Sequence, residues 1–249
     1  MQEFLRVPHE FNEGAGSASR FALIVGAGAA GLAFAQALFR QRPSADWRVS
    51  LTRRTSSAVK QLREQLARDG LLGRGLAIYP LDPTDEQSVA HLGAVIGGHG
   101  KIDLLVLASG QAILDTSCSN EFEYFYRNMA ANFQTKVSVF KSLQEHRHLD
   151  AGAKVIVVSS RVIEFDRNAP EVLSQQGYRA SIAALEGWAA SEAERLRGVV
   201  EFHISRMPLI MSPTADVYRE QGVVPADYPL VDPLLYAVEE LQKVFSSPV

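Results

Sequence analysis

The chain contains little that would tie it to disulfide chemistry, to nucleic acid or to a membrane. Its 249 residues include one cysteine, Cys118, which can form neither an internal disulfide nor a cysteine-rich metal site. There are 25 Lys and Arg against 28 Asp and Glu, so no basic excess is available to neutralise the phosphates of a nucleic acid. We therefore expect a reducing compartment and no nucleic-acid partner.

Long apolar segments of membrane-spanning length are also missing. Residues 21–35 carry no polar side chain, but this run is too short to cross a bilayer and contains three glycines. Charged residues among the first twenty positions argue against a secretory signal. The six histidines show no spacing typical of a metal site, and none is predicted. We expect a cytoplasmic protein without membrane association, with a flexible lead-in over residues 1–19 and one domain over residues 20–249.

What is present is a regular alternation of strand and helix patterns. The predicted strands are residues 21–25, 47–52, 75–79, 102–108, 154–158 and 200–205. The predicted helices are residues 30–40, 59–68, 86–96, 122–144, 178–197 and 233–244. Continuously apolar strands imply burial on both faces, and their alternation with helices implies parallel pairing. The prediction is an α/β fold, a Rossmann-like doubly wound parallel sheet flanked by helices on both faces, in a single domain.

A glycine-rich turn follows the first predicted strand and opens a helix. It reads Gly26-Ala27-Gly28-Ala29-Ala30-Gly31, the pattern G-x-G-x-x-G. The first glycine permits a tight turn, the second lets backbone N–H groups approach a pyrophosphate, and the third allows close packing of helix on sheet. The helix N-terminus then faces the anion. The alternative is that small residues merely pack the helix, but the strand–turn–helix context favours dinucleotide binding.

The end of the second predicted strand indicates which dinucleotide is bound. An acidic residue there would accept a hydrogen bond from the ribose 2′-hydroxyl of NAD or FAD. This chain has Arg53 and Arg54 instead, and two guanidinium groups suit a 2′-phosphate. We therefore predict NADP(H) rather than NAD(H), with solvated surface arginines as the alternative. The glycine turn also resembles the start of FAD domains, but without that acidic residue or a second FAD motif FAD is disfavoured.

Further segments, in order along residues 20–245, resemble the short-chain dehydrogenase/reductase family. They are Leu81-Asp82-Pro83-Thr84-Asp85 after the third strand, Leu107-Ala108-Ser109-Gly110 after the fourth, Asn132 on the long helix, Val157-Val158-Ser159-Ser160 at the end of the fifth strand, Tyr178-Arg179-Ala180-Ser181-Ile182 on the next helix, and Met207-Pro208-Leu209 after the sixth strand. The glycine turn is one residue shorter than the family usually has, and the loop between Ser160 and Tyr178 is longer.

The resemblance implies roles for these positions. Tyr178, Ser160 and Asn132 would be the catalytic residues. The cofactor would be held by Gly26, Gly28, Ala29, Ala30, Gly31, Arg53, Arg54, Asp82, Pro83, Ala108, Ser109, Gly110 and Pro208. The substrate pocket would be formed by residues 111–118, the loop over 160–178 and the proline-rich stretch 208–233, which reads as irregular and could be a lid. A homodimer or homotetramer is also implied.

One departure bears directly on the chemistry, because Ile182 stands where the family has a catalytic lysine. In intact members that lysine binds the nicotinamide ribose and lowers the pKa of the tyrosine. Without a substitute cation, the pKa of Tyr178 should lie near its ordinary value of about 10. Neutral Tyr178 can donate a proton to a carbonyl but is a poor base for oxidising an alcohol, so reduction is the expected direction.

Another cation could stand in for the missing lysine. Lys136 lies four residues after Asn132 on the same helix face and could aim toward the site. The alternative is a surface or structural lysine. Arg161 and Arg179 adjoin the predicted catalytic residues but are weaker candidates.

The functional prediction is an NADP(H)-dependent oxidoreductase that reduces a carbonyl or activated double bond of a small metabolite. One alternative is a family member that has lost hydride transfer and acts as an isomerase, dehydratase or cyclase. Another is a non-catalytic nucleotide-binding protein. The aromatic residues Phe122, Tyr124, Phe125 and Tyr126 could line an apolar pocket, or could pack in the core or at a subunit contact.

Overall fold

A computed structural model describes residues 20–41, 47–72, 75–111, 113, 118–164, 175–220 and 229–246. The predicted lead-in over residues 1–19 lies outside this part, as do residues 165–174 of the long loop. The strands are β1 Arg20–Val25, β2 Trp47–Arg53, β3 Leu76–Pro80, β4 Ile102–Leu107, β5 Leu149–Ser160 and β6 Val200–Met207. The helices are α1 Ala29–Gln41, α2 Ser56–Arg68, α3 Glu86–Gly97, α4 Glu121–Met129, α5 Thr135–Glu145, α6 Gln176–Arg195, α7 Pro213–Glu220 and α8 Pro233–Ser246.

The six strands form one sheet in the order β3-β2-β1-β4-β5-β6, and every pairing is parallel. This is the doubly wound order, so the predicted fold class is confirmed. The chain reverses its direction of winding between β1 and β4. Ligands of such sheets bind in the crevice that this reversal opens beyond the carboxyl ends of the strands.

Both faces of the sheet are buried, which explains why its strands are apolar without alternation. In β1, Phe21 and Leu23 point into one core and Ala22 and Ile24 into the other, and all four are fully buried. Helices α1, α2 and α8 cover one face, while α3, α5 and α6 cover the other. Each large apolar side chain buried in this way contributes about 1.5–3 kcal/mol.

Two helices begin directly after a polar residue whose side chain caps them. Thr55 accepts a hydrogen bond from the Ala58 amide at the start of α2, and Asp85 accepts one from the Gln87 amide at the start of α3. Such caps satisfy amides that have no partner within the helix. This is why the predicted helices over 59–68 and 86–96 lie within, or within a residue of, the observed ones.

The predicted helix over residues 122–144 is observed, but it is not uniform. A π-helical turn over Ala130–Gln134 separates α4 from α5. Such turns are rare, occur mostly as single bulges inside α-helices, and are frequent at functional sites. A pattern of apolar residues does not reveal them, because the bulge changes the backbone bonding without ending the helix.

The stretch over residues 208–233 was predicted to be irregular, and this is wrong for part of it. Helix α7 begins at Pro213, a residue well suited to the first position of a helix because its missing N–H has no partner there anyway. A single parallel bridge joins Ile210 to Val231 and closes the stretch at its base. Residues 221–228 lie outside the described part. Among the described helices, none has the length and apolar character needed to cross a membrane.

Candidate active site

A cavity of about 440 Å³ lies at the carboxyl ends of the strands, in the crevice between β1 and β4. Eleven of the predicted site residues line it: Gly28, Ala29, Ala30, Arg53, Ala108, Ser109, Gly110, Asn132, Ser160, Tyr178 and Pro208. The other five, Gly26, Gly31, Arg54, Asp82 and Pro83, are outside its lining. Segments far apart in the sequence therefore meet at one place.

The three glycines of the turn have different surroundings. Gly26 has a φ of +97°, and a Cβ there would lie 2.6 Å from the Ser109 backbone. A Cβ on Gly31 would lie 2.0 Å from the Gly26 carbonyl oxygen. At Gly28, by contrast, a Cβ would meet nothing within 4 Å. Gly26 and Gly31 are thus required by the fold itself, whereas Gly28 leaves open space on the cavity side, where a ligand could approach the backbone.

Two polar atoms beside this turn lack protein partners. The Nε of Arg53 and the Oγ of Ser109 are buried and have no hydrogen-bond partner within the described residues. Burial lowers the pKa of the Arg53 guanidinium. Because buried polar groups are normally hydrogen-bonded, these two atoms indicate that a polar ligand completes the site. The first residues of α1, Ala29 and Ala30, line the same space, where a helix N-terminus favours an anion.

Asp82 and Arg54 lie at the neighbouring strand ends, away from the cavity lining. The Asp82 carboxylate accepts hydrogen bonds from the Thr84 hydroxyl and the Thr84 amide at 2.6 and 3.0 Å. The Thr84 hydroxyl bond is the main cause that holds the pKa of Asp82 below its ordinary value; partial burial opposes it, and the amide and the Arg54 charge add to it. Asp82 is therefore fixed by its own turn, and its predicted contact with the adenine stays a prediction.

Ser160 and Tyr178 come together at the cavity, as the spacing of their segments suggested. Ser160 is the last residue of β5, and Tyr178 is half-buried in the first turn of α6. The Ser160 hydroxyl lies close enough to the Tyr178 hydroxyl to affect its pKa, and it also accepts a 3.3 Å hydrogen bond from the Val162 amide. Burial raises the pKa of the Tyr178 hydroxyl above its ordinary value, and the nearby Ser160 hydroxyl offsets only part of that rise. Tyr178 is therefore a neutral phenol at physiological pH, which can donate a proton but is a poor base.

The neighbouring Ser159 has a different role. Its hydroxyl donates a 2.5 Å hydrogen bond to the Glu186 carboxylate, which also pairs with Arg206 at 2.9 Å. This network joins β5 to α6 and β6. Ser159 and Ser160 both line the cavity, but the Ser159 hydroxyl is committed to Glu186, whereas the Ser160 hydroxyl is the one that affects the pKa of Tyr178.

Asn132 lies in the π-helical turn and is almost fully buried. Its side-chain amide accepts a hydrogen bond from the Gln111 amide at 2.9 Å and donates to the Gln111 carbonyl, also at 2.9 Å. It donates in addition to the Asn128 carbonyl at 3.1 Å. The side chain thus clamps the segment that follows β4 onto the helix. Asn132 therefore acts on a ligand indirectly, by fixing the position of the Gly110–Gln111 backbone.

Lys136 is buried, so the alternative of a surface lysine is wrong. Its side chain is 2% exposed and lines the cavity. Burial alone lowers the pKa of its amino group to about 7. Ile182, one turn after Tyr178 on α6, is also 2% exposed and lines the same cavity with apolar surface.

Besides Lys136 and Ile182, ten lining residues were not among the predicted site residues. They are Gln111, Val158, Ser159, Arg161, Val162, Gln175, Met207, Leu209, Ile210 and Ser212. All lie in or beside the three segments expected to form the substrate pocket, although residues 112, 114–117 and 165–174 are outside the described part. Gln175 could have been found from its position, because it precedes Tyr178 by one helical turn.

The aromatic residues of α4 do not line the cavity. Tyr124 is buried, and its hydroxyl accepts a 3.1 Å hydrogen bond from the Gly177 amide. A Cβ on Gly177 would lie 2.8 Å from the Tyr124 ring, so only glycine fits there. This contact fixes the start of α6, and hence Tyr178, against α4. Phe122 and Tyr126 are exposed and stacked on each other.

Comparison with known proteins gives matches of three kinds. Solved structures with the same fold include an actinorhodin polyketide ketoreductase variant with NADPH, at 17% identity and a TM-score of 0.73, covering 91% of this chain and 90% of that one. They also include a short-chain dehydrogenase from Burkholderia cenocepacia in complex with NADP, at 21% identity and a TM-score of 0.72, with 91% of each chain covered.

Sequence relatives point to the same class of protein. The uncharacterized oxidoreductase YusZ of Bacillus subtilis is 32% identical over 145 residues, which is 57% of this chain and 49% of that protein. The match thus spans about half the length of this relative. A model of the family described as short chain dehydrogenase matches residues 20–209. These residues run from the start of β1 to two residues beyond the end of β6, and the chain belongs to the short-chain dehydrogenase family.

Proposed function

We propose that the protein is an NADP(H)-dependent reductase of a carbonyl or an activated double bond in a small molecule. The observation that carries this proposal is the neutral Tyr178 phenol, which lies beside Ser160 in the cavity that the glycine turn and Arg53 also line. A proton donor and a dinucleotide-binding turn facing one space are what carbonyl reduction requires. The structural relatives solved with NADPH and NADP, and the oxidoreductase name of the Bacillus relative, support it.

The charges around the cavity fit an anionic nucleotide. Arg53, Lys136 and Arg161 line it, and its described lining contains no carboxylate. Gly28 and the start of α1 would hold the pyrophosphate, and Arg53, whose Nε has no partner within the described residues, would bind the 2′-phosphate. The Ser109–Gly110 backbone and Pro208 would border the nicotinamide end. The bound nucleotide would supply the hydride.

The protein's own residues supply the proton and the orientation. Tyr178 donates its phenolic proton to the oxygen atom that gains negative charge. Ser160, which lies beside Tyr178 in the cavity lining, donates a hydrogen bond to the same oxygen. Because burial raises the pKa of Tyr178, the phenol remains protonated at physiological pH and the reductive direction is favoured.

The first test is a calorimetric titration of the whole chain with NADPH and with NADH. We expect NADPH to bind more tightly, and the preference to disappear in Arg53→Ala, while Arg54→Ala keeps it because Arg54 lies outside the cavity lining. NADPH oxidation would then be followed with a panel of aldehydes, ketones and enones. Equal affinity for both nucleotides would contradict the assignment of the 2′-phosphate site.

Ile182 favours a second candidate, a family member that binds the nucleotide without transferring hydride. Because the Ile182 side chain is uncharged, helix α6 lacks the cation that would assist Tyr178. The same panel separates the two, since the second candidate would bind NADPH and leave it unconsumed with every substrate.

A further inference from the structure

Lys136 is buried in the wall of the cavity, although lysines are almost never fully buried without a partner. It is the second residue of α5, immediately after the π-helical turn, and its side chain ends in the cavity wall. Its amino group lies 3.4 Å from the Asn132 carbonyl oxygen and 3.3 Å from where a Cβ on Gly110 would stand. Burying an ammonium group is costly unless it is paired.

The described part of the protein does not provide that pair. The single hydrogen bond recorded for the Lys136 amino group there is the long one to the Asn132 carbonyl, and no ion pair joins it. An ammonium has three N–H donors, so donors remain for the cavity. The other charged or titratable groups of the described lining are Tyr178 from α6, Arg161 from the turn after β5 and Arg53 from the end of β2. None of these carries a negative charge at neutral pH.

On α6, the position one turn beyond Tyr178 is filled by Ile182, which is buried and apolar. A charge beside Tyr178 must therefore come from another element. Helix α5 reaches the same cavity from the opposite side of the Gly110–Gln111 segment, which Asn132 holds in place.

We propose that Lys136, which lies on helix α5, supplies the positive charge that the uncharged Ile182 cannot supply on α6. Its ammonium donates hydrogen bonds to oxygen atoms of the bound nucleotide and stabilises negative charge on the Tyr178 oxygen as the proton leaves. This inference rests on the proposed function in that NADPH is the ligand. The site is thus assembled from a tyrosine and a lysine on two different helices.

A proton balance follows from this arrangement. The Lys136 amino group has a pKa of about 7 in the ligand-free protein, so at pH 8 most of it is neutral. Ligand oxygen atoms favour the charged form and raise that pKa, so NADPH binding at pH 8 takes up a proton. The 2′-phosphate does not contribute to the proton uptake at pH 8, since a phosphate monoester with a second pKa of about 6 is already ionised there. Tyr178 stays protonated throughout because burial raises its pKa.

The experiment is calorimetry of NADPH binding at pH 8 in two buffers that differ in ionisation enthalpy. We expect the natural chain to take up close to one proton, and Lys136→Met and Lys136→Gln to take up almost none. Both variants should bind NADPH roughly 10-fold or more weakly, the usual loss for a hydrogen bond to a charged group. Lys141→Met, an exposed position on the same helix, is the matched control and should behave as the natural chain does. Adding Ile182→Lys to Lys136→Met should restore part of the affinity.

The outcomes separate this inference from the proposed function. If NADPH is consumed with a substrate but Lys136→Met binds it as tightly and with the same proton uptake, the inference is overturned while the reductase stands. If proton uptake depends on Lys136 but no substrate consumes NADPH, the inference is supported and the reductase fails. If the natural chain does not bind NADPH, both are overturned. Thermal unfolding of each variant confirms that it is folded, and either Lys136 variant suffices.

Discussion

Tyr178 shows how two local effects on one hydroxyl decide a direction of reaction. Burial raises its pKa, and the nearby Ser160 hydroxyl lowers it by less. The balance leaves a phenol whose proton is available for transfer to a reduced carbonyl. The reverse reaction would require the phenolate, which is scarce at neutral pH unless a cation is brought close.

Replacing Tyr178 with Phe removes the proton donor and little else. We expect kcat for carbonyl reduction to fall by about 10²–10⁴-fold, the usual worth of general acid catalysis, with NADPH affinity nearly unchanged. Steady-state NADPH oxidation and a binding titration measure the two effects. Tyr126→Phe, which alters an exposed tyrosine on α4, is the control. Full activity in the Tyr178 variant would remove this residue from the mechanism.

The glycine turn allows a matched comparison of single methyl groups. Gly28 and Gly187 both have open space around an added Cβ, but only Gly28 lines the cavity. Gly28→Ala should therefore leave the melting temperature near that of the natural chain and weaken NADPH binding by roughly 10-fold, because the methyl group obstructs the approach of the pyrophosphate. Gly187→Ala should bind NADPH normally. Equal nucleotide affinity in the two variants would contradict a pyrophosphate at Gly28.

At the scale of elements, two asparagines one helical turn apart tie α4 and its π-helical turn to the segment after β4. Asn128 accepts a hydrogen bond from the Ile113 amide at 3.2 Å and donates to the Ile113 carbonyl at 3.0 Å. Asn132 makes the same pair of bonds with Gln111. The two side chains thus bind Gln111 and Ile113, which lie two residues apart in the segment after β4. These bonds fix the backbone next to Gly110, which lines the cavity.

Asn128→Ala should destabilise the protein without touching the ligand. It leaves the amide and carbonyl of Ile113 without their side-chain partner in a buried place, and each unsatisfied group costs about 1–3 kcal/mol. Urea unfolding should show a free energy of unfolding lower by several kcal/mol. Ser138→Ala, at an exposed position of α5, should change it little. A variant as stable as the natural chain would show that the clamp is not needed.

The strands could be predicted from the sequence where burial makes a segment apolar. They were less predictable where a segment is a strand only because its backbone pairs with a neighbouring strand. The runs over 21–25 and 102–108 predict β1 and β4 because both faces of these strands are apolar. Strand β5 begins at Leu149, five residues before its prediction, because Asp150-Ala151-Gly152-Ala153 shows no run of large apolar residues while the backbone at Leu149 still pairs with Ile102. Asn128 was missed although its spacing to Asn132 was visible, because the partner of an asparagine cannot be inferred from a helix pattern.

On the scale of the whole molecule, the charged residues that line the cavity differ in sign from the net charge of the chain. The chain has a net charge of −3, yet the described lining of its cavity holds three basic side chains and no acidic one. The net charge of the chain therefore says nothing of a small anion as a ligand, and the absence of a nucleic-acid partner stays a prediction. The homodimer or homotetramer expected from the family resemblance stays a prediction, which sedimentation of the full chain would check.

Lys136 should impose a pH dependence on the stability of the whole protein. The pKa of its amino group is about 7 when folded against 10.5 as the ordinary value, so between these values the unfolded chain binds more protons. The free energy of unfolding of the natural chain should therefore rise with pH relative to Lys136→Met, by about 1.4 kcal/mol per pH unit, from about pH 7 upward. Below that range the burial penalty is fully present, so the methionine variant is the more stable there.

Paired urea titrations at pH 7 and pH 9 measure this difference. Curves that stay parallel for the two proteins would mean that Lys136 keeps an ordinary pKa in the folded state. Lys141→Met, at an exposed position on the same helix, again serves as the control.

Site residues could be predicted where the chemistry requires one residue type. They could not be predicted where the fold determines which side chain faces the cavity. The glycine turn, Ser160 and Tyr178 were found because their chemistry and order are specific. Arg53 and Arg54 could not be told apart, because a strand end points one side chain inward and the next outward. The burial of Lys136 depends on a π-helical turn and a clamped loop, neither of which appears in the pattern of apolar residues.

The acidity of Lys136 also makes it a nucleophile. A lysine whose pKa is lowered to about 7 by burial is about half unprotonated at neutral pH, and a neutral amine condenses with aldehydes to form imines. An aldehyde that entered the cavity of the nucleotide-free protein would thus form an imine on Lys136. If NADPH binds as proposed, its proton uptake would convert the amine to an ammonium and remove that reactivity. An aldehyde that entered after the nucleotide would then leave Lys136 unmodified.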